Sequence, residues 1–442
     1  MLVSPMSTST PEPPEPSRLE SSPPPGASRA WIVLGLLMLI SFSHLFHRVG
    51  LSSFTGELRS RWGYSEVQVG WILASVLLTY TVAMTPGGWL ADRIGTRRTL
   101  LIVAAGTGVF GSLIGGAEWL GLGSGLAAVW MVSVLGCMGI CAAPNFPSTS
   151  RTVAAWFRPE KQVLANALVT AAAIGGAAAA SPVLTGLAPL TWPVAFAFTG
   201  AIGMGIAVLW AGLGRESPRG TSLGVASRAP LDWSRFVRHR GIVCLALSYG
   251  CLGYSQYVFF HWLHNYFKEV LHYDAAQSAT YTSIPILGMM VSTPIGGVTC
   301  SVLAQRKGIR RVFPLCSLVF MVCSALSLAT GALRRESGPT EIVIWFTLAC
   351  AFIGMAEGPF WTTAARLGGK FAATSGGVVN TGGNLGGLIA IPLSAFIASE
   401  TAVEGDPAHG WTVALVTSSI VIGVGGLLWL AVDPEDSYVE DA

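Results

Sequence analysis

The stretch GGWLADRIGTRR, Gly87 to Arg98, places one carboxylate and three arginines directly after a long apolar run. Arginines that follow a membrane span anchor it on the side where the chain is made, which accounts for Arg97 and Arg98. That reading leaves the glycine pair and Asp92 unexplained. A second stretch, GGVTCSVLAQRKGIRR from Gly296 to Arg311, repeats the pattern of glycine pair, polar turn and basic cluster, without the aspartate. The repeat implies two related halves, and everything around it is apolar enough to cross a bilayer.

Of 442 residues, 52% are hydrophobic and 11% charged, with a mean hydropathy of +0.58. Such a chain is solvated mainly by lipid. A hydrocarbon core about 30 Å thick takes roughly 20 apolar residues per helix. Twelve segments satisfy this, near 31–54, 67–91, 99–117, 125–156, 162–186, 192–213, 241–267, 276–304, 312–333, 341–366, 370–398 and 410–431. The fold class expected is all-α and integral to the membrane, with twelve transmembrane helices in two six-helix halves.

The domains follow from where polar sequence interrupts the spans. Residues 1–30, rich in Pro and Ser, have too little apolar surface to order and are expected to form a disordered cytoplasmic tail. The first half is 31–213, the linker 214–240, the second half 241–432 and an acidic tail 433–442. Residues 1–30 do not read as a secretory signal, and the tail is expected to remain on the side where the chain is made. With the N-terminus cytoplasmic, eighteen Lys and Arg fall in inside loops and five in outside loops. Both termini are then cytoplasmic, and a plasma or inner membrane is the expected location. The net charge of +3 gives no reason to expect nucleic acid as a partner. Eight scattered cysteines, none in a CxxC pair, read as small buried hydrophobes and not as metal ligands.

The pattern Gly88, Leu90, Ala91, Asp92, Arg93, Gly95, Arg97, Arg98 resembles the signature loop of the major facilitator superfamily. The resemblance narrows to the anion:cation symporter branch, which carries organic acids such as sugar acids. It runs through HRVGLSSF from His47, the whole of the second helix, AAPNFPSTSRTVAAWF from Ala142, YVFFHWLHNYF from Tyr257, EGPFW from Glu357 and VVNTGGNLGG from Val378. It implies a secondary transporter working by alternating access. The chain departs from the branch at three places: His47 and Ala142 stand where acids are usual, and Leu135 near where an arginine is usual. Substrate and coupling therefore do not carry over directly.

Gly88, Asp92, Arg93, Gly95, Arg97 and Arg98 are expected to form the cytoplasmic gate. In it Asp92 pairs with an arginine or caps a helix N-terminus across the seam between halves. Inside the membrane charges are sparse and costly. Arg48, matching the branch's arginine, is expected to face the central cavity and attract a substrate carboxylate; the alternatives are snorkelling to the interface or pairing with Glu357. Glu357, a mid-membrane carboxylate, is the candidate proton carrier, with His47 as its relay. Tyr80, Tyr257, Trp361, Asn380 and Asn384 offer hydrogen bonds and ring faces to a polar solute. Tyr254, Trp262 and Tyr266 are further lining candidates, the last two alternatively members of the outer aromatic belt. His44 shares a helical face with His47 and Arg48, and His261 with His264, but no convergent ligand set supports metal transport.

The function expected is transport of a small organic anion, a carboxylate or sugar acid, with protons as the candidate coupling ion. The alternative is a uniporter or exchanger of a neutral or zwitterionic solute. An enzyme is not expected, since no HExxH, Gly-x-Ser-x-Gly or multiple-histidine box is present, and no cofactor is expected. A transport-dead sensor is a further alternative, although no extra cytoplasmic signalling domain is read from the sequence to report a signal. The partners are a small-molecule substrate, protons and the lipid bilayer, around a monomer.

Overall fold

The computed structural model describes residues 27–187, 191–218, 231–267, 271–404 and 406–438. Among them lie eleven apolar stretches long enough to cross a membrane, of which Pro339–Glu400 carries two helices joined by the single 3-10 turn Gly369–Phe371. The twelve helices are α1 (Ala27–Gly50), α2 (Glu66–Ile94), α3 (Thr96–Leu113), α4 (Ser124–Ala142, continued by Asn145–Trp156), α5 (Pro159–Gly186) and α6 (Trp192–Leu213). The second set is α7 (Arg240–Asn265), α8 (Ala275–Lys307), α9 (Ile309–Leu333), α10 (Pro339–Gly368), α11 (Ala372–Glu400) and α12 (Pro407–Leu428). Backbone groups in lipid must be bonded within their own segment, so these apolar runs have no option but the helix.

Some boundaries differ from the sequence expectation for local reasons. The first helix begins at Ala27, inside the segment expected to be a tail, and residues 1–26 lie outside the described residues. The fourth span is broken near Pro144, which has no N–H to donate, and resumes at Asn145. Within the linker, the short helix Trp233–Phe236 is capped by the Asp232 side chain, and residues 219–230 lie outside the described residues. The described part of the acidic tail folds back: the Tyr438 N–H donates to Leu367 O at 2.7 Å and Asp433 pairs with Arg310 at 2.8 Å.

The duplicated loop is duplicated in conformation as well. Gly95 (φ 87, ψ 147) ends α2 and Gly308 (φ 81, ψ 150) ends α8, each donating its N–H to the carbonyl four residues back. A side chain rarely tolerates that positive φ, so both repeats need glycine there. The same symmetry governs packing, with α1 lying along α5 in the first half and α7 along α11 in the second.

The halves meet along two seams, α2 against α11 and α5 against α8. Outward-facing side chains such as Trp71, Val82, Val208, Val291 and Leu430 are about 70% or 60% exposed and apolar, as a lipid-facing perimeter requires.

Candidate functional site

Five of the six residues expected to bind substrate come together at mid-bundle, although they arrive from four helices. Arg48, near the end of α1, donates from Nη2 to the Tyr257 hydroxyl on α7 at 3.1 Å. Tyr257 donates to Asn384 Oδ1 on α11 at 2.9 Å, and Asn384 Nδ2 donates to Asn380 O at 3.0 Å. Asn380 Nδ2 reaches the Tyr80 hydroxyl on α2 at 3.5 Å. The Tyr80 ring closes the loop, because the Arg48 guanidinium lies 4.5 Å from its centroid. Cation–π contact and one hydrogen bond hold the charge, and among the described residues no carboxylate pairs with it. The pairing of Arg48 with Glu357 weighed above is absent.

Trp361 stands one layer away. Its ring stacks on Phe146 of α4 at 5.2 Å, and its indole N–H donates to Glu357 Oε2 at 3.2 Å. Glu357 is buried at 2% exposure, and the same oxygen accepts from the Tyr249 hydroxyl at 3.1 Å. Between this carboxylate and Arg48 runs a continuous file of rings. Trp361 touches Phe146, Phe146 meets His44 edge-on at 6.1 Å, and His44 stacks on Tyr80 at 5.4 Å.

His47 is not part of this assembly. Its Nδ1 lies 2.8 Å from Ser43 O, and its ring packs against Gly111 of α3, where a Cβ would come within 2.6 Å of it. Successive residues on a helix are 100° apart, so His44 and Arg48 share a face from which His47 departs. No contact joins His47 to Glu357. Tyr254 bonds Ser394 at 3.4 Å, Trp262 bonds Ile391 O at 3.1 Å, and Tyr266 packs on Phe267 and Phe346. All three lie within the second half and outside the ring.

The signature loop builds a second constellation. Asp92 is 1% exposed and accepts four hydrogen bonds: from Arg151 Nη1 at 2.5 Å, from the N–H groups of Ala373 (3.2 Å) and Thr374 (2.7 Å), and from the Thr374 hydroxyl at 2.6 Å. It thus pairs with an arginine of its own half and caps the N-terminus of α11 in the other. A carboxylate at a helix N-terminus satisfies donors that the helix leaves open and complements its dipole. Arg151, one of the eighteen basic residues assigned to inside loops, is in fact 4% exposed, with Asp92 against it and Glu216 at 3.9 Å. The other arginines of the motif are exposed: Arg93 lies over Trp89 at 4.2 Å, Arg97 donates to Ala211 O at 2.7 Å, and Arg98 faces outward.

Gly88 permits this approach, because a Cβ there would lie 2.2 Å from Ala373 O. Further along the seam Thr85 and Thr381 share a hydrogen bond of 2.9 Å. A Gly88→Val chain carrying cysteines at 85 and 381 is therefore expected to lose most of the crosslinking by a short bis-thiol reagent that the same cysteine pair shows with Gly88 intact. Equal crosslinking would mean that α2 and α11 do not depend on that close approach.

Cross-half hydrogen bonds run from Asp92 through Ser150–Trp361 O (2.7 Å), Asn166–Thr362 (3.0 Å) and Thr85–Thr381 to Arg48–Tyr257. Among the described residues the halves are thus tied together at the α2–α3 end, and the ties stop at the central ring. Sequence reasoning missed Arg151, Thr374, Phe146, Tyr249 and His44 as site residues. His44 offered a signal, its i, i+4 relation to Arg48; the others are placed only by tertiary packing.

Comparison with known proteins agrees with this architecture. The chain is 25% identical over 420 residues (91% of this chain, 94% of the relative) to a probable sulfoacetate transporter, SauU, of Cupriavidus necator. It is 24% identical over 433 residues (91% and 95%) to a D-galactonate transporter of Escherichia coli. Among solved structures, the transporter FucP in its outward conformation superposes with a TM-score of 0.69 at 15% identity, covering 91% of this chain and 99% of that one. The proton:xylose symporter XylE gives 0.68 at 14% identity, covering 93% and 98%. The sequence model of the Major Facilitator Superfamily matches residues 37–391, so the chain, with its paired six-helix halves and buried signature-loop aspartate, belongs to that family of membrane transporters.

Proposed function

We propose that this protein is a secondary transporter of a small organic anion, a carboxylate, sulfonate or sugar acid, moved by alternating access of its two halves. The observation that carries the reading is Arg48: a guanidinium at mid-bundle, half-buried, without a carboxylate partner, and ringed by two tyrosines and two asparagines. A charge at that depth is expensive unless function requires it. The relatives named for sulfoacetate and D-galactonate support an acid as its ligand. Asn380, Asn384 and the tyrosine hydroxyls supply donors and acceptors for the rest of such a solute.

Asp92, Arg151 and the α11 N-terminus act as the gate that keeps the loop end shut while the opposite end is open. Positive-inside charge makes that loop end cytoplasmic, with both termini on the same side, in a plasma or inner membrane and in a monomer. Glu357 serves as a proton-binding carboxylate of the second half, since burial makes its charged form costly to keep, against the two donors, Tyr249 and Trp361, that favour it.

The alternative, a uniporter or exchanger of a neutral or zwitterionic solute, draws on Leu135 and Ala142, which are 1% and 2% exposed and replace charged groups usual in the branch. Proteoliposome uptake of sulfoacetate, D-galactonate and a neutral sugar, with and without an imposed pH gradient, separates the readings. The acids are expected to be taken up and to accumulate with the gradient, and Glu357→Gln to abolish the response to the gradient while counterflow continues, because exchange between equal pools moves no net proton. Uptake indifferent to pH, or preference for the neutral sugar, would favour the alternative.

A further inference from the structure

The branch's usual acids are missing from the first half, and His47, the residue standing in sequence for one of them, is packed against α3. His44, on the same helix, lies instead against Tyr80 of the central ring. His44 is 1% exposed, and neither Nδ1 nor Nε2 has a hydrogen-bond partner. Buried polar atoms are bonded almost without exception, so two unused nitrogens on one ring call for a partner that arrives in some state of the protein. The ring lies one helical turn before Arg48, stacked at 5.4 Å on the same Tyr80 ring over which Arg48 sits. It is thereby part of the central ring of residues.

We infer that His44 is the proton site of the first half, and that it takes up a proton only when an anion lies against Arg48. This rests on the organic-anion reading above. The titratable and charged groups around His44 are few. Its own helix supplies His47 and Arg48, α2 supplies Tyr80, and α4 supplies the apolar Phe146. From α5, packed along α1, residues 162–186 contain no titratable side chain, and Cys141 of α4 faces Gly106 of α3. Glu357 stands behind Phe146 and Trp361, bonded to Trp361 and Tyr249.

With the site empty, an imidazolium there would sit beside the arginine's like charge in a dry setting, and the neutral ring is favoured. A bound anion reverses that sign: it attracts the proton to His44, and the imidazolium in turn holds the anion more tightly. The coupling is reciprocal by thermodynamic necessity. The proton comes from bulk water and resides on one of the two unpartnered ring nitrogens, with no bond to the substrate made or broken. Anion and proton then cross together, which is what symport requires of a site that lacks acids.

The test is calorimetric binding of sulfoacetate and D-galactonate to the purified full-length protein, from about pH 5.5 to 8, in buffers of different ionisation enthalpy. The wild type is expected to take up a proton with each anion, its affinity rising by up to about tenfold per unit fall in pH. His44→Gln keeps a polar, neutral side chain and is expected to lose both the proton uptake and the slope. An undiminished slope in His44→Gln, or one that disappears in His47→Gln and not in His44→Gln, would overturn the assignment. Were His44→Gln not to fold, Glu357→Gln would decide: proton uptake on anion binding is expected to persist in it, and its loss there, or its absence in the wild type, would overturn the assignment. Binding of neither anion at any pH would instead sink the organic-anion reading, and this inference with it.

Discussion

Arg48→Ala is expected to weaken equilibrium binding of the transported anion by at least about 30-fold, because removing one member of a hydrogen-bonded charge pair in a desolvated site costs roughly 2–5 kcal/mol. The loss extends beyond charge. Arg48 is donor to Tyr257 and lies over Tyr80, so its removal unfastens the hydrogen-bonded loop from Tyr257 through Asn384 and Asn380 to Tyr80. Arg48→Lys retains the charge but not the planar fork that serves a hydrogen bond and a ring face together, and is expected to fall between the wild type and Arg48→Ala. Binding of the anion to the purified variants is the direct measure. Normal affinity and uptake in Arg48→Ala would remove the principal residue of the organic-anion reading and turn attention to neutral solutes.

Asp92→Asn is expected to cut turnover by about one to two orders of magnitude while leaving equilibrium affinity within a few fold. The amide has the same shape and one remaining acceptor, so part of the α11 cap survives. It loses the charge that balances the buried Arg151, and it sets an NH2 group among donors. Breaking a buried pair in this way costs about 3–5 kcal/mol, and here the cost falls on the state in which the α2–α3 end is closed. Population shifts toward opening at that end, and each cycle must climb back. Removing both charges, as Asp92→Asn with Arg151→Gln, is expected to restore part of the turnover, since the buried arginine no longer lacks its carboxylate and only the more exposed Glu216, 3.9 Å from Arg151, loses a partner. Uptake rates set beside binding constants give the answer. Loss of binding in a folded Asp92→Asn protein would place this residue in substrate recognition and not in the gate.

The gate shows how far a motif can be read without coordinates. That Asp92 would meet an arginine or a helix N-terminus follows from charge and the helix dipole; that it meets both, and that the arginine is Arg151, does not. Arg151 precedes a basic loop and looks like any other anchor. Its burial follows the break near Pro144, after which Asn145–Trp156 resumes against α11, α10 and α3. The file of rings from Tyr80 to Trp361 was equally hidden. Phe146 sits in a proline-flanked stretch whose direction no periodicity reveals, and the contact with Trp361 joins residues more than two hundred positions apart.

By itself the sequence determined the solvent, the helix count, the two-fold repeat and the family. These depend on the hydropathy of segments about 20 residues long, on loop charge and on glycines at Gly95 and Gly308 that no other residue readily replaces, all local quantities. It also picked Arg48, Tyr80, Tyr257, Asn380 and Asn384, because polar groups are rare at membrane depth and each one needs a reason. Only the tertiary structure decided which neighbouring histidine joins them. His44 and His47 have the same chemistry and lie three residues apart on one helix. Their angular offset of about 60° around α1, with one side of the helix packed on α3 and the other turned to Tyr80, puts one imidazole against a glycine and the other beside the arginine.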